Sequence, residues 1–140
     1  MVLSRNGALA YTQNDAAGLT ENTQRSAGGF ASAGLVIVDP ETVARKVLEK
    51  QENKTSFQLV DLRLEAEFNK GHLPGALNVP YKKLGFLAEK MFDLKEDIIL
   101  YGYSENDAVG VDAVIRLENK GFRRVSLMAG GIKEWKGKKE

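Results

Sequence analysis

The segment Ile98-Ile99-Leu100-Tyr101-Gly102-Tyr103-Ser104-Glu105-Asn106-Asp107 reads as a buried strand running into a loop, with a helix following from Ala108. That order can seat a nucleophile or cradle an anion, because loop amides and the first turn of a helix gather partial positive charge. The side chains here are poor in such chemistry. Gly102 carries none, and the chain has no cysteine, which excludes thiol mechanisms, disulfides and thiolate metal sites. Ser104 could attack only with a base in reach, and His72 is the chain's one imidazole. A loop serine bonding nearby amides is the better reading. Glu105 and Asp107 would satisfy the free amides of the helix themselves, with Asp107 as N-cap and Asn106 next in line. They would also repel an anion arriving there.

Two further charged groups follow an apolar run, Phe57-Gln58-Leu59-Val60-Asp61-Leu62-Arg63. Asp61 and Arg63 could meet a ligand at a pocket rim. The favoured reading is structural: Asp61 accepts loop amides and Arg63 pairs with a carboxylate such as Glu67. His72 is expected to tie its own turn together through ring hydrogen bonds. Tyr101 ends an apolar strand and reads as core, whereas Tyr103 is the better contact candidate.

The elements that must position these residues are legible from Leu35 onward. Strands are predicted at 35–38, 57–62, 76–79, 98–101 and 125–128. Helices are predicted from Asp39-Pro40-Glu41 to about Gln51, at 64–70, 81–92 and 108–120, with a last short one carrying Trp135. Asp39 caps, Pro40 fits the first helical position and Glu41 suits the positive end. Val43, Val47 and Leu48 form the apolar stripe of the first helix; Leu84, Leu87, Ala88 and Met91 form that of the third. Trp135, Phe122, Ile132 and Leu127 read as packing of the last helix on the sheet. Short, near-continuous apolar strands alternating with helices predict an α/β domain with a parallel sheet covered on both faces. In such sheets the working site lies beyond the carboxyl ends of the strands.

Composition narrows the function classes. The 140 residues suffice for one domain, and 43% hydrophobic with 28% charged residues is ordinary globular usage. A net charge of +1 gives no global field for nucleic acid or an anionic membrane. Arg123 and Arg124, with Lys133, Lys136, Lys138 and Lys139, read as a solvated face. One histidine argues against a His-based metal site, and no apolar run approaches membrane-spanning length. Residues 1–34 are rich in small and polar types without sustained period, and read as a flexible N-terminal tail or linker. Residues 137–140 are expected to fray. The start lacks a basic region and a continuous apolar run, so no secretory signal is expected. A cytoplasmic protein with no cofactor and no metal is expected.

A set of motifs resembles a known family. Leu59-Val60-Asp61-Leu62-Arg63, Glu67-Phe68, Gly71-His72-Leu73-Pro74-Gly75-Ala76 and Asn78-Val79-Pro80 resemble the first signature of rhodanese-like domains. Gly121-Phe122, Val125, Gly130-Gly131-Ile132 and Trp135 resemble the closing signature. The resemblance covers roughly residues 35–136, with the motifs in family order. It implies a three-layer α/β fold: a five-stranded parallel sheet flanked by helices on both faces. It also implies sulfur-transfer ancestry, since active members carry a persulfide on a cysteine that opens the loop after the fourth strand. That position falls on Gly102, the cradle on Tyr103, Ser104, Glu105, Asn106 and Asp107, and the pocket rim on Asp61, Arg63 and His72. Glycine cannot hold a persulfide, and this loop carries two acids and no base. The expectation is a non-catalytic binding or regulatory module with a protein partner and neither nucleic acid nor membrane. The alternative is a sulfurtransferase-related enzyme working with a partner's cysteine persulfide.

Overall fold

The computed structural model describes residues 35–104 and 108–140. The expected N-terminal tail, 1–34, and the acidic loop residues Glu105, Asn106 and Asp107 lie outside them. In chain order the elements are β1 (Val36–Val38), α1 (Pro40–Gln51), β2 (Gln58–Asp61), α2 (Glu65–Lys70), β3 (Leu77–Asn78), α3 (Tyr81–Met91), β4 (Asp97–Tyr101), α4 (Ala108–Asn119) and β5 (Arg124–Met128). A 3₁₀ turn at Ile132–Glu134 follows. The five strands form one sheet in the order β1-β5-β4-β2-β3, and every pair is parallel.

Burial explains which strand is central. In β4 the four residues Ile98 to Tyr101 are all buried, so the strand has no polar face. It pairs with β2 on one side and β5 on the other. The register opposes Asp61 to Tyr101 and Leu100 to Leu127. β3 is two residues long, and Pro80 follows as the N-cap of α3.

Side-chain alternation sorts the helices. Val43 and Val47 of α1 share a core with Leu59, Ile99, Tyr101 and Met128. Leu127, one residue from Met128, points to the other face, where it packs directly beneath Gly110 of α4. α3 lies beside α4 in the same layer. The fold class is therefore the expected one, a parallel sheet between two helical layers.

Local signals account for the helix starts and faces. Asp39 accepts the Thr42 amide at 2.7 Å as the N-cap of α1, with Pro40 at the first helical position. The predicted stripe of that helix is narrower than expected: Val43 and Val47 are buried, but Leu48 is 59% exposed. On α3, Leu84 and Ala88 are buried while Met91 is 42% exposed. Trp135 and Phe122 are core residues, as predicted.

The C-terminal residues, expected to fray, carry hydrogen bonds to the body of the domain. Lys136 to Glu140 are exposed, yet they are tethered. Glu140 and His72 exchange two backbone hydrogen bonds, of 2.8 and 3.1 Å. The Trp135 indole N–H donates to the Lys138 carbonyl at 3.1 Å, and Gly137 lies close under the same ring. Main-chain hydrogen bonds with a distant turn thus stand where apolar contacts are few.

Candidate functional site

The parallel register brings the ends of β2 and β4 together, and with them an ionic cluster. Asp61 is fully buried and Arg63 is 6% exposed. The carboxylate accepts Arg63 Nη2 at 2.8 Å and Nε at 3.1 Å, and also the Arg63 backbone amide at 2.8 Å. The Tyr101 hydroxyl donates to Asp61 Oδ2 at 2.6 Å and accepts the Leu73 amide at 3.1 Å. Arg63 Nη2 also donates to the Gly71 carbonyl at 2.6 Å. Asn78 Nδ2 donates to the carbonyls of Asp61 and Arg63, at 3.2 and 2.9 Å.

This is a satisfied buried ion pair, the only economical way to keep two charges from water. Burial works against the Arg63 charge, but the hydrogen bonds and charge of Asp61 outweigh it and raise the guanidinium above its ordinary value. Burial, then the hydrogen bond to Asp61, pushes the Tyr101 phenol far up, so it stays a neutral donor. The structural reading of Asp61 and Arg63 fits this geometry. One detail is corrected: Arg63 pairs with Asp61, and Glu67 lies beside Lys70 instead. Strand β2 ends at Asp61 and turns, which folds Arg63 back onto its neighbour but one.

His72 sits in the turn after α2. Its Nδ1 lies 3.0 Å from the Phe68 carbonyl, its ring stacks on Phe68 with centroids 3.8 Å apart, and Nε2 is 4.0 Å from Glu140 Oε1. Both ring nitrogens are thus directed at groups of its own neighbourhood, so His72 is not presented as a base to Ser104.

The loop after β4 is shaped from outside. Gly102 is buried, Ser104 is half-buried and Tyr103 is 44% exposed. The amides of Ile132 and Lys133 donate to the carbonyls of Gly102 and Tyr103, at 2.9 and 3.1 Å. Gly131 has φ +65°, and a Cβ there would fall 2.5 Å from the Ser104 nitrogen and 2.7 Å from the Gly102 oxygen. Glycine is required on both counts. Arg63 lies over the Tyr103 ring at 5.8 Å, which links the ionic cluster to the loop. Behind the loop is a cavity of about 220 Å³ lined by Gly102, Ser104, Gly110, Leu127 and Gly131 among others. Its lining offers apolar surface and backbone, with Ser104 as its one hydroxyl.

Of the residues expected at the site, Asp61, Arg63 and Tyr103 converge, with Gly102 and Ser104 beside them, and Tyr101, expected in the core, joins the cluster through its hydroxyl. His72 joins them only through its backbone neighbours Gly71 and Leu73. Sequence reasoning did not foresee the roles of the Tyr101 hydroxyl, Asn78 or Glu140. Among the described residues no cluster of three or more His, Asp or Glu side chains is placed to hold a metal. No helix among them is long and apolar enough to cross a membrane.

A parallel α/β sheet whose central strand opens into a glycine-backed loop, next to an Asp-Arg pair and a Gly-His-Leu-Pro-Gly turn, defines a class of domain. The family model "Rhodanese-like domain" matches residues 44–138, and the chain belongs to that family. Its relatives include the uncharacterized protein YqhL of Bacillus subtilis, 31% identical, with 66% of this chain and 74% of YqhL covered. The putative sulfur carrier protein YrkF of the same organism is 26% identical over 81% of this chain and 60% of its own length. Among solved structures, the Rhodanese_3-like domain of the Alr3790 protein from Anabaena superposes with a TM-score of 0.57. It is 32% identical, covering 61% of this chain and 99% of that one.

Proposed function

We propose that this rhodanese-like domain is a binding or regulatory module without sulfurtransferase turnover of its own. The observation that carries the reading is Gly102. It follows the last residue of β4, where the family resemblance puts the sulfur-bearing cysteine, and no cysteine exists elsewhere in the chain. The acids Glu105 and Asp107 support it, since they disfavour an anionic sulfur species in a loop that carries no compensating base. A protein partner in the cytoplasm is part of the reading.

The test is thiosulfate:cyanide sulfur transfer. In that reaction a thiolate takes the outer sulfur of thiosulfate, sulfite leaves, and cyanide removes the sulfur as thiocyanate. The purified chain should form thiocyanate at the buffer rate, and turnover well above buffer would overturn the proposal. Gly102→Cys alone should stay near background, and the triple change with Glu105→Gln and Asp107→Asn should gain at least about tenfold over it. That margin corresponds to roughly 1.4 kcal/mol of barrier. Robust turnover by the single variant would refute the role given to the acids.

A second reading is favoured by one observation, the loop scaffold that Gly131, Ile132 and Lys133 build around residues 102–104. In it, a partner's cysteine persulfide enters the cradle and this domain assists transfer. Mass-tagged sulfur moving between candidate partner proteins at the same rate with and without this chain would remove it.

A further inference from the structure

The solvent face of α3 sets an exposed aromatic ring among lysines. Phe86 is 66% exposed there. At 100° per residue, Lys82, Lys83 and Lys90 all fall within about 60° of it, and all three are exposed. Lys90 Nζ lies 4.0 Å from the Phe86 ring centroid. No ion pair is made by Lys82, Lys83 or Lys90 among the described residues. The adjoining edge of α4 adds Arg116, bound to Asp112, and beyond it Lys120, bound to Glu89 of α3. Tyr81 joins the two helices through its hydroxyl on Asp112.

The two helices, with Lys120 just past the end of α4, thus present five cations, Lys82, Lys83, Lys90, Arg116 and Lys120, against the carboxylates of Glu89 and Asp112. Glu118, the remaining acid of α4, points to another side of that helix by the same periodicity. An excess of three positive charges stands out on a chain whose net charge is +1. The inward residues Leu84 and Ala88 are buried, so folding places Phe86 outside without any packing role.

The geometry points to this α3–α4 face as a docking surface for an acidic, amphipathic protein segment. Its carboxylates would meet Lys82, Lys83 and Lys90, and an apolar side chain would cover Phe86. Charge sets the sign of the partner, and the free aromatic supplies the apolar anchor on which interfaces depend. Two other anionic partners fit less well. A membrane-surface helix needs a broad apolar face, and here Phe86 stands alone among lysines: Leu84 and Ala88 are buried, and the exposed Met91 lies about 140° round the helix from it. Single-stranded nucleic acid needs a basic groove with several stacking rings, and this face offers one exposed ring, Phe86. The inference goes beyond the non-catalytic reading and does not depend on it.

The test uses a labelled synthetic amphipathic peptide, Glu-rich with two leucines on one face, titrated at low salt by anisotropy and by amide chemical shifts. Expected are shifts centred on α3, affinity falling with salt, and a loss of about tenfold for Phe86→Ala. Lys82→Glu with Lys83→Glu should weaken binding by at least about tenfold again. Phe86 is outside the core, so circular dichroism should show every variant folded. Unchanged affinity of Phe86→Ala, equal binding of polyglutamate, or shifts centred on residues 102–104 would overturn the proposal. So would tighter binding of an oligonucleotide or of phosphatidylserine vesicles. A chain that turns over thiosulfate yet binds the peptide through α3 would sink the non-catalytic reading and leave this one intact.

Discussion

Glu118 is a half-buried carboxyl on α4, and burial pushes it up to about 7. A carboxyl raised in the folded state holds its proton while the unfolded chain has released it. Stability therefore falls as pH rises from the usual carboxylate range to about 7, and is level above that. Glu118→Gln should remove this slope and stabilise the protein at pH 8 by about 1–2 kcal/mol, with little effect at pH 4. Urea melts of both proteins across that range check it, and parallel pH curves would refute it. The residue scale also shows what the sequence could say about the candidate site. Asp61 and Arg63 were legible as a network because both follow an apolar strand. The partner of Arg63 was not, since a turn decides whether it reaches Asp61 or Glu67. The Tyr101 hydroxyl was hidden for another reason: only the β2–β4 register sets Tyr101 opposite Asp61.

At the scale of elements, periodicity and punctuation located the strands and helices of the described residues, with ends displaced by about a residue. Pro40, Gly71 and Gly121 mark boundaries by backbone chemistry, which is local and therefore readable. The width of a buried stripe is set by what lies opposite, so Leu48 could be misplaced while Val43 and Val47 were not. The Gly130-Gly131 turn was legible as a turn but not as the wall of the loop after β4. Gly131→Ala should cost about 2–4 kcal/mol, combining a disfavoured positive φ with contact on the 102–104 backbone. Chemical denaturation measures the loss, and a variant within about 0.5 kcal/mol of the parent would contradict that role.

Across the whole molecule, the parallel sheet and its two helical layers follow from the alternation of short apolar strands with helices. The return of the C-terminal residues to His72 does not. Main-chain hydrogen bonds between distant segments leave no mark on side-chain type, and a lysine-rich end reads as solvent-facing whether tethered or free. Removing residues 137–140 should speed amide exchange at His72 and Gly75, which donate to Glu140 at 3.1 and 3.2 Å. Global stability should fall by only about 1–2 kcal/mol, the worth of a few exposed hydrogen bonds. Unchanged protection at both amides in hydrogen–deuterium exchange would show that the tether is not held in solution. The link also reaches the ionic cluster, because Gly71, beside His72, accepts from Arg63.

Gly131 has one more implication, for inheritance. The loop after β4 takes its form from a residue some thirty positions downstream, so position 102 is a socket whose outline is kept by its neighbour. Drift at 131 is therefore costly, because any side chain there would meet the 102–104 backbone. The shape of the loop is thus inherited through a distant glycine rather than through the residue that opens it.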